Sequence, residues 1–256
     1  MSRHKPRYFL RLSYDGSAYR GWARQPGHLT VQQTIEEALC ILLREPEMWV
    51  QGAGRTDSGV HALETWCHFE TQQPVGPQLL HQLNGLLPPS IGIAGLYTSR
   101  TETMHARFSA HYRYYQYWIL RRPQPLLRHR ALWVQPPLDP VAMQRAADLL
   151  LLQQSFACFQ KAKNNQLNDL CTIDWAQWEL RGDLWIFHIR ANRFLRGMVR
   201  ATVGTLLDVG TAKLSVQDFE RILHSRDRTQ AGMNVAAHGL HLAGVGYPPG
   251  AFTQIA

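Results

Sequence analysis

Long apolar runs are missing from this 256-residue chain. Nothing in it approaches the roughly 20 consecutive apolar residues that a membrane-spanning helix needs. The opening Met1-Ser2-Arg3-His4-Lys5-Pro6 has no apolar core of the signal-peptide kind, so the expected compartment is the cytoplasm and no membrane partner is expected. Cysteine is scarce. Cys40, Cys67, Cys158 and Cys171 lie far apart and form no C-x-x-C pair, which excludes a dithiol redox motif and a zinc ribbon. Cys40 sits in a helix pattern and Cys67 in a strand pattern, settings that suit buried thiols. The twelve histidines include no H-x-x-x-H or H-E-x-x-H spacing, so no metal site is expected. Lysine is equally rare, at four of 27 basic residues, and the positive charge of the chain is therefore carried by arginine.

What is present in excess is that arginine charge. The 27 basic residues outnumber 19 acidic ones for a net charge of +8, which favours an anionic partner. The excess is clustered. Residues 100–130 hold Arg100, Arg107, Arg113, Arg121, Arg122, Arg128 and Arg130 against the single acid Glu102. Residues 190–200 add Arg190, Arg193, Arg196 and Arg200 with no acid. Guanidinium forks suit phosphates and stack on bases. Nucleic acid is favoured over a membrane surface because no basic amphipathic helix stands at either terminus.

The apolar pattern alternates between strand and helix periods. Tyr8, Leu10, Leu12 and Tyr14 alternate with Phe9, Arg11 and Ser13 in a strand from Arg7 to Tyr14. Thr30-Val31-Gln32-Gln33 has capping-box spacing ahead of a helix with Ile35, Ala38, Leu39, Leu42 and Leu43 on one face. Strands near Met48 to Gly52 and Glu64 to Glu70, a helix from Pro77 to the Pro88-Pro89 stop, and a strand from Ile91 to Tyr97 follow. The second half repeats this order. A strand from Arg113 to Leu120 leads to a helix opened by Asp139-Pro140, then a hairpin of Thr172 to Leu180 and Leu184 to Ala191. A helix over 194–207 is expected to align Arg193, Arg196 and Arg200 on one face, with a further helix from Ser215 and a last strand from Leu240 to Gly246. The expected fold class is α+β, two split β-α-β-β-α-β halves with antiparallel sheets. The halves are expected at 1–105 and 106–256.

Chemistry concentrates in Gly52-Ala53-Gly54-Arg55-Thr56-Asp57-Ser58-Gly59-Val60-His61-Ala62. Glycines let this backbone turn tightly and let a substrate come close. The spacing fails the dinucleotide fingerprint, and the P-loop Gly-Lys-Ser/Thr is absent. Asp57-Ser58-Gly59 resembles an aspartic-protease triplet, but that chemistry needs a second carboxylate, which only a homodimer could supply. The plainest alternative is an Asx-turn, with Asp57 accepting from its own backbone. Two further segments carry chemistry-bearing residues. In the strand Tyr112-Arg113-Tyr114-Tyr115-Gln116-Tyr117, the side chains of Arg113, Tyr115 and Tyr117 are expected on one face. Such a face suits stacking on an unpaired base, or packing of a sheet on a helix. The basic residues of Asn192-Arg193-Phe194-Leu195-Arg196-Gly197-Met198-Val199-Arg200 fit a phosphate-binding surface or a solvated one.

Taken together and in order, these segments resemble the tRNA pseudouridine synthase A family from about Arg7 to Pro248. The Gly54-to-Ala62 string is similar to that family's signature loop, and Ser13-Tyr14-Asp15-Gly16-Ser17-x-Tyr19-x-Gly21-Trp22 to its opening strand and loop. Ala106-Arg107-Phe108-Ser109-Ala110 followed by Tyr115-Gln116-Tyr117, then Asn192-x-Phe194-Leu195-x-x-Met198-Val199-Arg200, then Gly239-Leu240-x-Leu242, resemble its later motifs. Ser58 stands where alanine is usual, Gln116 where arginine is, and Arg196-Gly197 where two histidines are.

The resemblance implies a pseudouridine synthase fold and the isomerisation of uridine to pseudouridine at tRNA positions 38, 39 and 40, in the anticodon stem-loop. It implies Asp57 as nucleophile, Arg200 as its charged partner, Tyr115 stacked on the target base and Leu240 in the base pocket. Arg55 is either a second counter-charge or a clamp on a phosphate or flipped base. Arg107, Arg113, Arg193 and Arg196 are the expected tRNA-binding residues. No cofactor is implied, and a homodimer with tRNA across both subunits is. The competing expectations are a non-catalytic RNA-binding protein that kept the fold and a dimeric aspartic hydrolase.

Overall fold

The computed structural model describes residues 5–160 and 169–256. The chain folds as two units. The first comprises the residues up to His111 together with Leu242–Ala256, and the second is Tyr112–His241. The units therefore do not follow a cut at residue 105, because the C-terminal segment returns to the first unit. Phe252 stacks on Trp66 there, with ring centroids 4.5 Å apart, and Thr253 pairs with Thr98.

In the first unit, β1 (Arg7–Tyr14) lies between β3 (His61–Glu70) and β4 (Ile91–Ser99), antiparallel to both. The two-residue β2 (Gln51–Gly52) pairs with β3, giving the order β4-β1-β3-β2. Phe9, Leu10 and Leu12 of β1 are buried, as are Cys67 and Phe69 of β3. Burial alternates along β1 from Leu10 to Tyr14, and Phe9 is buried on the opposite face against His68 and Phe252. Helix α1 (Val31–Leu43) buries Ile35, Ala38, Leu39 and Leu43 at helical spacing. Thr30 caps it by accepting from Gln33 N–H. The reciprocal half of the expected capping box is not made, because the Gln33 amide donates to Glu37 instead. Helix α2 (Gln78–Leu86) buries Leu79 and Leu83.

In the second unit, β5 (Tyr112–Leu120), β8 (Leu184–Ala191) and β7 (Ile173–Arg181) form an antiparallel run, with the short β6 (Leu132–Trp133) parallel to β5. Gly182 takes φ +58° in the β7–β8 turn. Helices α3 (Pro140–Asp148), α4 (Met198–Gly210) and α5 (Val216–Ser225) pack together. Asp139 caps α3 through Val141 and Ala142 N–H, and Ser215 with Asp218 forms a complete capping box on α5. Strand β9 (Leu240–Gly246) carries the chain from the second unit back into the first, and β10 (Phe252–Gln254) pairs with β4.

Helix α4 begins at Met198, not near residue 194, because Gly197 adopts φ +74° at its N-cap. Arg193 and Arg196 therefore lie in the preceding loop, and only Arg200 stands on the helix. Residues 194–197 read as helical because Leu195 is apolar and buried at a helix-compatible spacing from Met198 and Val199.

Candidate active site

The Asp57 loop leaves β2 at Gly52 and enters β3 at His61, and a second loop holds its backbone. Val60 N–H donates to the Asp57 carbonyl at 3.2 Å, and Gly59 takes φ +78° at the third position of that turn. That is the geometry of a type II turn, which a glycine there makes without strain. The loop 14–22 then grips the turn. Gly59 N–H donates to the Tyr19 carbonyl at 3.2 Å, and Trp22 N–H donates to the Thr56 carbonyl at 3.3 Å. The Tyr14 hydroxyl meets Thr56 Oγ1 at 2.9 Å, and Gly16 N–H donates to His61 Nδ1 at 3.1 Å. Two glycines permit the approach. A Cβ on Gly16 would lie 2.0 Å from the Val60 oxygen, and one on Gly21 2.4 Å from the Thr56 oxygen. Main-chain bonds thus close the turn. Asp57 is partly exposed within it, and Arg55 is exposed two residues earlier.

The same unit buries a carboxylate on α1. Glu36 of α1 is 1% exposed and accepts from Gln32 Nε2 at 2.8 Å, Val50 N–H at 3.0 Å and Arg24 Nη1 at 3.1 Å. Gln32 Oε1 also accepts Arg24 N–H. A carboxylate buried with this many donors is satisfied. It joins α1 to the residues that follow Trp22 and to the strand entering Gly52.

The second unit gathers the other candidates around β5. Tyr115 is 9% exposed, and its ring meets Phe194 edge-on at a centroid distance of 5.2 Å. Tyr117 lies on the same strand face, fully buried, with its hydroxyl donating to the Ala236 carbonyl at 2.8 Å. Burial raises the Tyr117 phenol far above its usual range, and the nearby Arg200 cation opposes that rise. Arg200 Nε donates to the Val235 carbonyl at 2.7 Å while Val235 N–H donates back to the Arg200 carbonyl at 3.3 Å. Gly239 lies against the Tyr117 ring, where a Cβ would fall 2.6 Å from Cζ. Leu240 follows it, buried, at the head of β9. Arg200 and Gly239, the residue before Leu240, thus lie near Tyr117, while Tyr115 shares the Tyr117 strand face and packs on Phe194. Tyr117 itself takes the packing role that the sequence left open for the tyrosines.

The remaining arginines divide by exposure. Arg196 is exposed and Arg193 is half-buried. Arg113 donates to the Asn192 carbonyl at 3.1 Å, tying β5 to the loop that precedes α4. Arg107 is exposed in the first unit, its guanidinium 5.4 Å from the centroid of the Phe108 ring. Sequence reasoning missed the gripping role of Tyr14, Gly16, Tyr19 and Gly21. The opening-loop motif, dense in glycine and tyrosine, marked the segment without showing that it bonds to the Asp57 turn. Among the described residues, no three His, Cys, Asp or Glu side chains gather as a metal site, and no helix is long and apolar enough to cross a membrane.

The family model described as tRNA pseudouridine synthase matches residues 146–248. A tRNA pseudouridine synthase A from Parabacteroides distasonis is 43% identical over 94% of this chain and 96% of its own length. One from Porphyromonas gingivalis is 41% identical over 96% of this chain and 99% of its own, and one from Chlorobaculum tepidum is 39% identical over 96% and 100%. The chain belongs to the tRNA pseudouridine synthase A family.

In this member of the tRNA pseudouridine synthase A family, Ser58, Gln116 and Gly197 each have a local structural use. The Ser58 hydroxyl donates to the Tyr19 carbonyl at 3.3 Å, adding one more bond to the grip on the Asp57 turn. Gln116 bridges its strand neighbours, donating to the Tyr114 hydroxyl at 2.8 Å and accepting Trp118 Nε1–H at 2.9 Å. Gly197 supplies the left-handed residue that starts α4, so a histidine there would be strained.

Proposed function

We propose that this chain converts uridine to pseudouridine at positions 38, 39 and 40 in the anticodon stem-loop of tRNA, with Asp57 as nucleophile. The observation that carries this reading is the gripped turn. Five hydrogen bonds from Tyr14, Gly16, Tyr19, Trp22 and Ser58 fix the loop that bears a partly exposed carboxylate. A nucleophile must be held near its attack geometry before substrate arrives, and a fixed backbone does this. The relatives' shared name supports tRNA as substrate, and the arginine excess supports it independently.

In the reaction, the C1′–N1 bond of the uridine breaks, the base turns, and a C1′–C5 bond forms. Atoms and oxidation state are conserved, so the proposal names no cofactor. Arg200 is the proposed cationic partner of the nucleophile, Tyr115 the ring that stacks on the base and assists proton movement at C5, and Leu240 an apolar wall of the pocket. Arg55, exposed beside Asp57, is proposed to clamp a phosphate or the flipped base. Arg107, Arg113, Arg193 and Arg196 are proposed tRNA contacts. Each unit is read as a ferredoxin-like half, a reading supported in the first unit by the order β4-β1-β3-β2. A cytoplasmic homodimer with tRNA across both subunits completes the proposal.

The test supplies unmodified tRNA and maps carbodiimide-dependent stops of reverse transcription. New stops at positions 38 to 40 support the reading. Salt-sensitive tRNA binding without any new stop would instead indicate the non-catalytic binder.

A further inference from the structure

One turn of the first unit holds an aromatic ring in water on a backbone that is fixed throughout. His105 Nδ1 accepts from Arg107 N–H at 3.0 Å and Phe108 N–H at 3.3 Å. His105 N–H donates to Ser109 Oγ at 3.0 Å, and Ser109 N–H returns to the His105 carbonyl at 3.0 Å. Between them Ala106 is fully buried, donating N–H to His68 Nδ1 at 3.2 Å and accepting from the Tyr247 hydroxyl at 2.5 Å. This is helix-cap chemistry applied to a single turn, with histidine in the role usually taken by serine or aspartate. The His105 and His68 rings meet edge-on at 4.6 Å, and burial together with the Arg7 charge disfavours protonation of both. Each Nδ1 therefore remains an acceptor, and the turn remains closed.

Phe108 gains little from folding in this position. It is 76% exposed, and its ring rests on His105 with centroids 4.4 Å apart. A single exposed apolar side chain is ordinary on a protein surface. Burial of Ala106 anchors the turn, and the exposed Phe108 ring beside an exposed arginine adds little to that anchoring. We propose that Phe108 is a stacking platform for an unpaired RNA base, with Arg107 holding an adjacent phosphate. The ring is backed by His105 and carries the Arg107 guanidinium 5.4 Å from its centroid, so an incoming base takes the sequence-tolerant π-face as Arg107 turns to the phosphate that accompanies it. The inference rests on the reading of tRNA as substrate and adds a contact that reading does not assign.

The test measures binding of an unmodified tRNA transcript by fluorescence anisotropy across a salt series, with stop mapping run in parallel on the same proteins. Phe108→Leu keeps apolar bulk and removes the π-face, and its affinity should fall by about ten-fold at every salt concentration. Phe108→Trp should bind within about two-fold of the parent, since a larger π-face serves as well. Arg107→Ala should flatten the salt dependence by about one unit of slope, while Phe108→Leu leaves that slope unchanged. Exposure of Phe108 makes misfolding of these variants a minor concern, and a thermal melt matching the parent checks it. Phe108→Leu binding tRNA as tightly as the parent overturns the proposal, as does a loss of self-association with binding intact. Weakened binding by Phe108→Leu in a protein that makes no pseudouridine keeps the platform and removes the enzymatic reading. A parent protein that binds no tRNA overturns both.

Discussion

Gly21 shows how much of the site depends on individual backbone positions. Its φ of +89° is in the region that L side chains avoid, and a Cβ would collide with the Thr56 oxygen from which the Trp22 amide bond takes its register. Gly21→Ala combines conformational strain with displacement of the Asp57 turn. It should lower stability by about 1–3 kcal/mol, read from urea midpoints, and reduce turnover more than that loss explains. Tyr115 gives a complementary expectation. Phe194 sits edge-on to its ring, so Tyr115→Phe keeps the packing and removes only the hydroxyl. That variant should unfold at nearly the parent temperature while turnover falls by about 10²-fold, the usual scale of a lost proton-transfer group. An unchanged rate would remove the hydroxyl from the chemistry. At this scale the sequence made Asp57 and Tyr115 visible, because their neighbours form motifs. It left the grip on the turn hidden, because a hydrogen bond between residues 19 and 59 has no sequence period.

Elements were legible where a single periodic face or a cap defines them. The limits of β1 and β9 agree with the alternation read from Arg7 to Tyr14 and from Leu240 to Gly246. Helix α5 follows from Ser215 and Asp218, whose reciprocal bonds are the complete capping box. Two- and three-residue strands such as β6 and β10 carry no period, and only tertiary pairing defines them. The start of α4 was misread because burial of Leu195 mimics a helical stripe, while Gly197 in the left-handed region ends any helix before it. Two measurable consequences follow. Ser215→Ala should destabilise the protein by about 1 kcal/mol, the usual loss of a serine N-cap, with tRNA binding unaffected. Gly197→Ala should be the more damaging of the two and should weaken function as well, since α4 carries Arg200 in its first turn.

For the whole molecule, charge and protonation set how the protein responds to its surroundings. A net charge of +8 carried mainly by arginine predicts tRNA binding that weakens steeply with salt. Stability should depend on pH through histidines held neutral inside the fold. Burial, aided by Arg7 and His105, lowers His68 from 6.5 to about 3, and His105 and His188 shift in the same direction. The unfolded chain therefore takes up protons below about pH 6.5 that the native protein does not, so stability falls from there toward pH 3. Hydrogen-bonded carboxylates such as Asp169 and Glu45, shifted below their ordinary values, add a further loss in more acid solution. Urea midpoints taken between pH 7.5 and 5 should decline steadily. His68→Gln should flatten that decline, and a flat parent profile would contradict it. The division of the chain was the least legible feature at this scale. Nothing near Leu242 in the sequence marks a return to the first unit, which rests on packing such as that of Phe252 on Trp66.

The central claim is that the gripped turn presents Asp57 as the nucleophile of a tRNA uridine isomerase, and the Asp57→Ala protein tests it most directly. Incubated with unmodified tRNA, the parent should form pseudouridine in the anticodon arm. Asp57→Ala should lose about 10³-fold or more of that activity, the scale expected when a nucleophile is removed. It should still bind tRNA with the same salt dependence. An Asp57→Ala protein that forms pseudouridine at the parental rate would contradict the account.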